Sequence, residues 1–164
     1  MKNAGIEKVI ILGAGAPHKG ETPSVLWQTG SGELILNWIL DALSFSNSEI
    51  SFIAGYKANK IIKNFPKVKF NINKKWQTMG STGSLLSQEL DINNPLLVSY
   101  GDILFRKSIV PKIISSSKPI ALAWDSKFFK NNFDKKTEPK LYEKIKVINK
   151  KVLRVGTDIP SELF

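Results

Sequence analysis

The chain has 164 residues, 42% apolar and 23% charged, the proportions of one globular domain able to bury roughly two thirds of its unfolded surface. No apolar run approaches the ~20 residues that span a bilayer, the run Val9 to Ala16 stops at Pro17 without the flanks of a secretory signal, and the lack of cysteine excludes a disulfide framework or a thiolate metal site and fits a reducing, cytoplasmic setting. The net charge of +10 favours anionic partners in general, from nucleotides and phosphorylated metabolites to nucleic acid and acidic head groups, without choosing among them.

Glu7 to Leu12 is mainly β-branched and stops at Gly13, the pattern of a strand buried on both faces. A polar loop with Gly30 and Gly32 follows, and then Glu33 to Phe45 places Ile35, Trp38, Ile39 and Ala42 at helical spacing, as a crossover helix would. Ile50 to Ala54 predicts a second strand ending at Gly55, Lys57 to Asn64 a short helix, and Val68 to Ile72 a third strand. Gly80 to Leu90 predicts a helix, Leu96 to Ser99 a strand, Ser108 to Ser115 a helix opened by Ser108, and Pro119 to Trp124 a further strand.

Such alternation means a parallel sheet, and the expected fold is one open, three-layer, Rossmann-like α/β domain spanning residues 1–164. Lys144 to Ile148 and Val152 to Val155 flank Asn149, Lys150 and Lys151, which predicts a late β-hairpin rather than another crossover. The polar stretch Lys127 to Pro139 is the candidate for a long mobile loop. Much of the positive excess sits late, in Lys127, Lys130, Lys135, Lys136, Lys140, Lys144, Lys146, Lys150, Lys151 and Arg154, and is read first as a solvated surface.

Ligands of open α/β sheets sit beyond the carboxyl ends of the strands, so the residues there carry the chemical argument. After the first strand comes Gly13-Ala14-Gly15-Ala16-Pro17-His18-Lys19-Gly20-Glu21-Thr22, whose exposed backbone N–H groups suit phosphate oxygens. The turn is not a dinucleotide fingerprint, because His18 stands where that motif needs a third small residue, nor a phosphate loop, because Glu21 stands where that motif needs Lys. Lys19 is positioned to neutralise charge growing on a triphosphate; the bland alternative is a surface lysine behind a tight turn. His18, the single histidine, sits between Pro17 and Lys19, a poor setting for a buried base.

The second cluster is Asn73, Trp76 and Gly80-Ser81-Thr82-Gly83-Ser84-Leu85, whose hydroxyls either cap a helix or bind base and ribose. The third is Tyr100-Gly101-Asp102 after an apolar strand, where Asp102 is the candidate Mg²⁺ ligand, since Mg²⁺ needs only one or two carboxylates beside phosphate oxygens. Asp125 follows Pro119 to Trp124 in the same way and is either a second carboxylate or part of a turn.

In this order the three clusters resemble the nucleotidyltransferase superfamily that activates sugar phosphates, phosphocholine and aminoethylphosphonate (the nucleotide-diphospho-sugar transferase-like fold). Val9 to Gly15 resembles that family's opening strand and Gly-rich loop, Ala54-Gly55-Tyr56 its second-strand signature, Ser84-Leu85 its nucleotide-contacting pair and Tyr100-Gly101-Asp102 its metal-binding Gly-Asp. Trp76 to Leu85 and Glu143 to Gly156 look closest to cytidylyltransferases acting on phosphocholine or phosphonates. The resemblance implies Lys19 and Asp102 as catalytic residues, Asp102 as the Mg²⁺ ligand, and Leu12, Gly13, Ala14, Gly15, Gly55, Gly80, Ser81, Ser84 and Tyr100 around the nucleotide.

The implied reaction is attack of an acceptor phosphate or phosphonate oxygen on the α-phosphorus of a nucleoside triphosphate, CTP being favoured, with release of pyrophosphate. The family commonly has Arg shortly after the glycines and a Pro-Lys pair further on, where this chain has Lys19 and Pro23-Ser24. Its members are longer and draw a second metal-binding Asp from their later part, so either this chain is part of a larger protein, or that carboxylate and the acceptor-site elements are supplied otherwise, or catalysis is weak. The rival readings are a nucleotide-binding module without turnover, which like the first admits an oligomer, and, ranked below both, a basic nucleic-acid-binding protein.

Overall fold

The computed structural model describes residues 6–44, 48–91, 93–127 and 143–159. Its residues gather into two compact units, Met1–Pro119 and Ile120–Phe164.

In the first unit the β-branched run becomes β1 (Lys8–Gly13), the inner strand of a four-stranded, wholly parallel sheet. It pairs on one side with β2 (Glu49–Ala54), which carries β3 (Lys69–Ile72), and on the other with β4 (Leu96–Tyr100), giving the order β3-β2-β1-β4. In register, Leu12 stands beside Ile53 and Tyr100, and Gly13 beside Ala54.

Successive strand residues face opposite sides, so β1 feeds two cores. Val9 and Ile11 pack with Phe52, with Leu36, Ile39 and Leu43 of α1 (Ile35–Leu43), with Ile61 of α2 (Ala58–Asn64) and with Val110 of α4 (Ile109–Ile114). Ile10 packs with Ile53 and Ala14, against which Trp76 and Leu85 of α3 (Ser81–Leu86) also lie. Helices thus flank the sheet. Phe52 is fully buried, a placement that stabilises by about 1.5–3 kcal/mol relative to an exposed ring.

Several elements depart from the sequence reading. The first helix begins at Ile35, not Glu33, because residues 28–34 fold into a small turn first: Thr29 N–H donates to the Glu33 carbonyl at 2.8 Å, and Gly32 takes φ +83°. Its buried face is Leu36, Ile39, Ala42 and Leu43, while Trp38 is 38% exposed and its indole N–H donates to the Phe105 carbonyl at 2.8 Å. Helix α3 ends at Leu86 rather than Leu90, and the Ser87 hydroxyl there turns back onto the Ser84 carbonyl at 2.7 Å, a local bond that competes with helix continuation. Ser108 holds the N-cap position of α4 without a side-chain capping bond. A 3₁₀ turn at Ser24–Leu26, which buries Val25, has no counterpart in the sequence reading.

Pro119 to Trp124 is not a strand. Ile120, Leu122 and Trp124 are 80%, 48% and 49% exposed; apolar alternation makes a strand only where a neighbour offers hydrogen bonds, and among the described residues this segment pairs with none. The late hairpin pairs β5 (Lys144–Ile148) with β6 (Lys151–Gly156) antiparallel, with a bulge at Lys146/Val147. Asn149 and Lys150 have φ of 50° and 62°, the two left-handed residues of a primed turn. Lys146, Lys150, Lys151 and Arg154 fit the solvated surface, but Lys144 is buried and its ammonium donates to the Ile159 carbonyl at 2.9 Å. Lys130, Lys135, Lys136, Lys140 and the rest of the predicted loop beyond Lys127 lie outside the described residues.

Candidate functional site

Because the sheet is all parallel, Gly13, Ala54, Ile72 and Tyr100 end their strands along one edge. The chain leaves β1 for β2 on one side and returns to β4 on the other, so the strand order reverses between β1 and β4. Such a reversal marks the usual ligand position in open parallel sheets.

The backbone at this edge is drawn together by hydrogen bonds that extend the ladders past the strands. Gly101 N–H donates to the Leu12 carbonyl at 2.8 Å, Tyr56 N–H to the Ala14 carbonyl at 2.8 Å, and Asn73 N–H to the Ala54 carbonyl at 2.8 Å. The second and third predicted clusters and the Ala54-Gly55-Tyr56 segment therefore reach the same edge as the Gly-rich turn, in one unit of the molecule.

Crowding explains some of the glycines. A methyl group at Gly13 would lie 2.1 Å from Cζ of Phe52, and one at Gly55 would lie 2.6 Å from both the Ala14 carbonyl oxygen and Trp76 Cβ. At Gly101 it would lie 2.9 Å from Val25 and 3.2 Å from the Leu12 oxygen. Gly15 and Gly80 are different: both are exposed, both have negative φ, and nothing would meet an added methyl within 4 Å.

Lys19 and His18 are exposed, and Lys19 forms no ion pair among the described residues. Asp102 is exposed one residue beyond the buried Gly101, and Tyr100 is 38% exposed at the end of β4. Among the described residues no group of three or more His, Cys, Asp or Glu is gathered as a metal cage. A single carboxylate is a donor set suited to Mg²⁺ held mainly by phosphate oxygens and water.

Ser84 is buried, and its hydroxyl accepts a hydrogen bond from the Asn73 side-chain amide at 2.9 Å. Asn73 also accepts the Lys75 N–H at 2.8 Å, so the pair ties the end of β3 to α3. Gly80 is the N-cap of α3 and no side chain caps it, which leaves the Ser81 and Thr82 hydroxyls, both exposed, without that structural task. In the second unit, Asp125 accepts the Lys127 N–H at 2.8 Å, the bond of an ordinary turn.

One feature of the edge was missed from sequence. Glu21, at the far end of the Gly-rich turn, accepts from Lys57 Nζ at 2.9 Å, and its carbonyl accepts from the Tyr56 hydroxyl at 3.1 Å. The lysine holds the Glu21 carboxyl below its ordinary value, by hydrogen bond first and by charge second, and Glu21 in turn raises Lys57. The partners are 35 and 36 residues apart in the chain, and no local pattern announces such a pairing.

A separate cleft of about 260 Å³ between α1 and residues 106–107 is lined by Glu33, Trp38, Asp41, Ala42, Arg106 and Lys107. None of the sequence-predicted site residues lines it, and its Lys107 and Asp41 already face each other at 3.7 Å. The strand-end edge is the stronger candidate, since topology and exposed functional groups coincide there.

No protein-family model matches this chain, and no curated protein matches it either.

Proposed function

We propose that the chain is a nucleotidyltransferase of Rossmann-like, three-layer architecture, akin to the family its motifs resemble, that transfers a nucleoside monophosphate from a triphosphate to a phosphorylated or phosphono small molecule. The observation that carries the reading is the contact between Gly101 and the Leu12–Gly13 backbone at the reversal of strand order. It sets the carboxylate-bearing residue Asp102 next to the opening of a Gly-rich turn whose Lys19 forms no ion pair among the described residues.

The turn from Gly13 to Gly20 binds the triphosphate through its backbone N–H groups, and Gly15 and Gly80 let the ligand approach. The acceptor oxygen forms a bond to the α-phosphorus while the bond between that phosphorus and the α–β bridging oxygen breaks, and pyrophosphate leaves with the electron pair. Lys19 balances the charge that grows on the phosphate oxygens. Asp102 would hold Mg²⁺, which shields the triphosphate charge. CTP is the favoured donor, and phosphocholine, aminoethylphosphonate and a sugar phosphate are the acceptors to try.

The test is pyrophosphate release with each triphosphate, Mg²⁺ and each acceptor. Activity with one combination, lost by at least about 100-fold in Asp102→Ala, is the expected outcome. A folded protein that releases no pyrophosphate with any combination retires the turnover reading. The second reading, a nucleotide-binding module without turnover, is favoured by the lack of a group of three or more His, Cys, Asp or Glu among the described residues. It gives nucleotide-dependent thermal stabilisation and no product.

A further inference from the structure

We propose that Tyr56 and Lys57 form a clamp that joins the two ends of the Gly-rich turn and thereby sets its affinity for an anionic ligand. The affinity part rests on the nucleotide-binding reading above, whereas the clamp itself is a property of the free protein.

Both ends of the turn are held by these two consecutive residues. At the start, Tyr56 N–H donates to the Ala14 carbonyl at 2.8 Å. At the far end, the Tyr56 hydroxyl donates to the Glu21 carbonyl at 3.1 Å and Lys57 Nζ to the Glu21 carboxylate at 2.9 Å. Between the two fastenings residues 15–20 are exposed, apart from a half-buried Pro17. The result is a loop with fixed ends and free backbone donors, the arrangement that lowers the ordering cost of binding.

The clamp is itself braced. The Tyr56 ring meets Trp76 edge to face, with centroids 5.5 Å apart at 68°, and the Lys57 ammonium lies 5.3 Å from the Tyr56 ring centroid. Trp76 packs against the core beneath β1 and β2, which anchors the brace to the sheet.

Lys57 adopts φ 45° and ψ 37° as the N-cap of α2, a left-handed conformation that glycine adopts at no steric cost. A turn alone would be served better by glycine. The side chain accounts for the lysine: from this backbone it reaches Glu21 and closes the loop.

Tryptic cleavage after Lys19, followed in the intact, ligand-free protein, reads the closure directly, because a protease needs the turn to open. Lys57→Met and Tyr56→Phe leave the sequence around the cut unchanged. Both are expected to speed cleavage severalfold while the thermal midpoint stays at the wild-type value, and Lys57→Arg to keep the wild-type rate. CTP titration with Mg²⁺ should show apparent dissociation constants raised about three- to tenfold in the first two variants and not in the third, as the fraction of closed turn falls.

Tyr56→Phe separates the clamp from direct charge contact, since it removes a fastening without removing a cation. Unchanged cleavage in both Lys57→Met and Tyr56→Phe overturns the clamp. Faster cleavage only in step with a lower thermal midpoint overturns it as well, by assigning the contacts to general stability. If the wild type binds no nucleotide, the nucleotide reading falls and the cleavage rates alone decide the clamp.

Discussion

At the scale of single residues, Gly13 and Gly15 look equivalent in sequence and are opposite in the fold. Gly13 is pressed against the ring of the fully buried Phe52, so an added methyl at 2.1 Å must displace an aromatic side chain from a packed core. Gly13→Ala is therefore expected to cost about 1–3 kcal/mol, seen as a thermal midpoint lowered by roughly 2–4 °C per kcal/mol for a chain of this size. Gly15 meets nothing within 4 Å and has no left-handed φ. Gly15→Ala should leave stability unchanged or raise it by about 0.4–1 kcal/mol through the unfolded state, while weakening nucleotide binding. Calorimetry and a nucleotide titration on the two variants check the contrast, and a Gly15→Ala protein with wild-type affinity would remove Gly15 from the site. The glycine motif was legible in the sequence, but which glycine serves packing was not, because the ring opposite Gly13 comes from 39 positions further along the chain.

At the scale of elements, legibility followed locality. The strands β1, β2 and β4 and the late hairpin announce themselves through apolar runs and turn residues, although Lys151 belongs to β6 rather than to the connection. Pro119 to Trp124 carries the same alternation and forms no strand, since pairing belongs to the neighbour as much as to the segment. The start of α1 was misplaced because a hydrogen-bonded turn at 28–34 competes for the same residues. The link from the Gly-rich turn to α2 is likewise invisible locally, yet it leaves a titration signature. Glu21 faces Lys57 and, more distantly, Lys60, and its pKa is held below 4.5; Lys57, facing Glu21 and Tyr56, is raised above 10.5. A lowered carboxyl contributes fully above its unfolded value and loses that contribution as pH falls through the folded one, whereas a raised ammonium loses its contribution as pH rises through the folded value. The fastening thus holds from about pH 5 to about pH 10. Titration of the carboxyl resonances by NMR should place Glu21 and Glu49, the latter held by Lys69, below the ordinary range. Lys57→Met should return Glu21 toward 4.5 and leave Glu49 where it is; a Glu21 that does not move in that variant would show that the ion pair is absent in solution.

At the scale of the whole molecule, the proposed function has strand order rather than charge decide where a ligand goes. The net charge of +10 attracts any polyanion, and its attraction weakens steeply with salt. The reversal between β1 and β4 selects one edge of one unit. Amide hydrogen exchange distinguishes the two sources of binding. Nucleotide at moderate salt should slow exchange at residues 13–21, 55–57 and 100–102, the segments that extend β1, β2 and β4 past the sheet. The hairpin Lys144–Gly156, with Lys146, Lys150, Lys151 and Arg154, should be unaffected. Protection of the hairpin instead, growing as salt is lowered and elicited equally by arbitrary RNA or DNA, would move the binding surface to the basic second unit and favour nucleic-acid binding. Protection at the strand ends that survives salt cannot come from charge alone, because backbone donors held by the sheet, unlike solvated lysines, are screened little by ions.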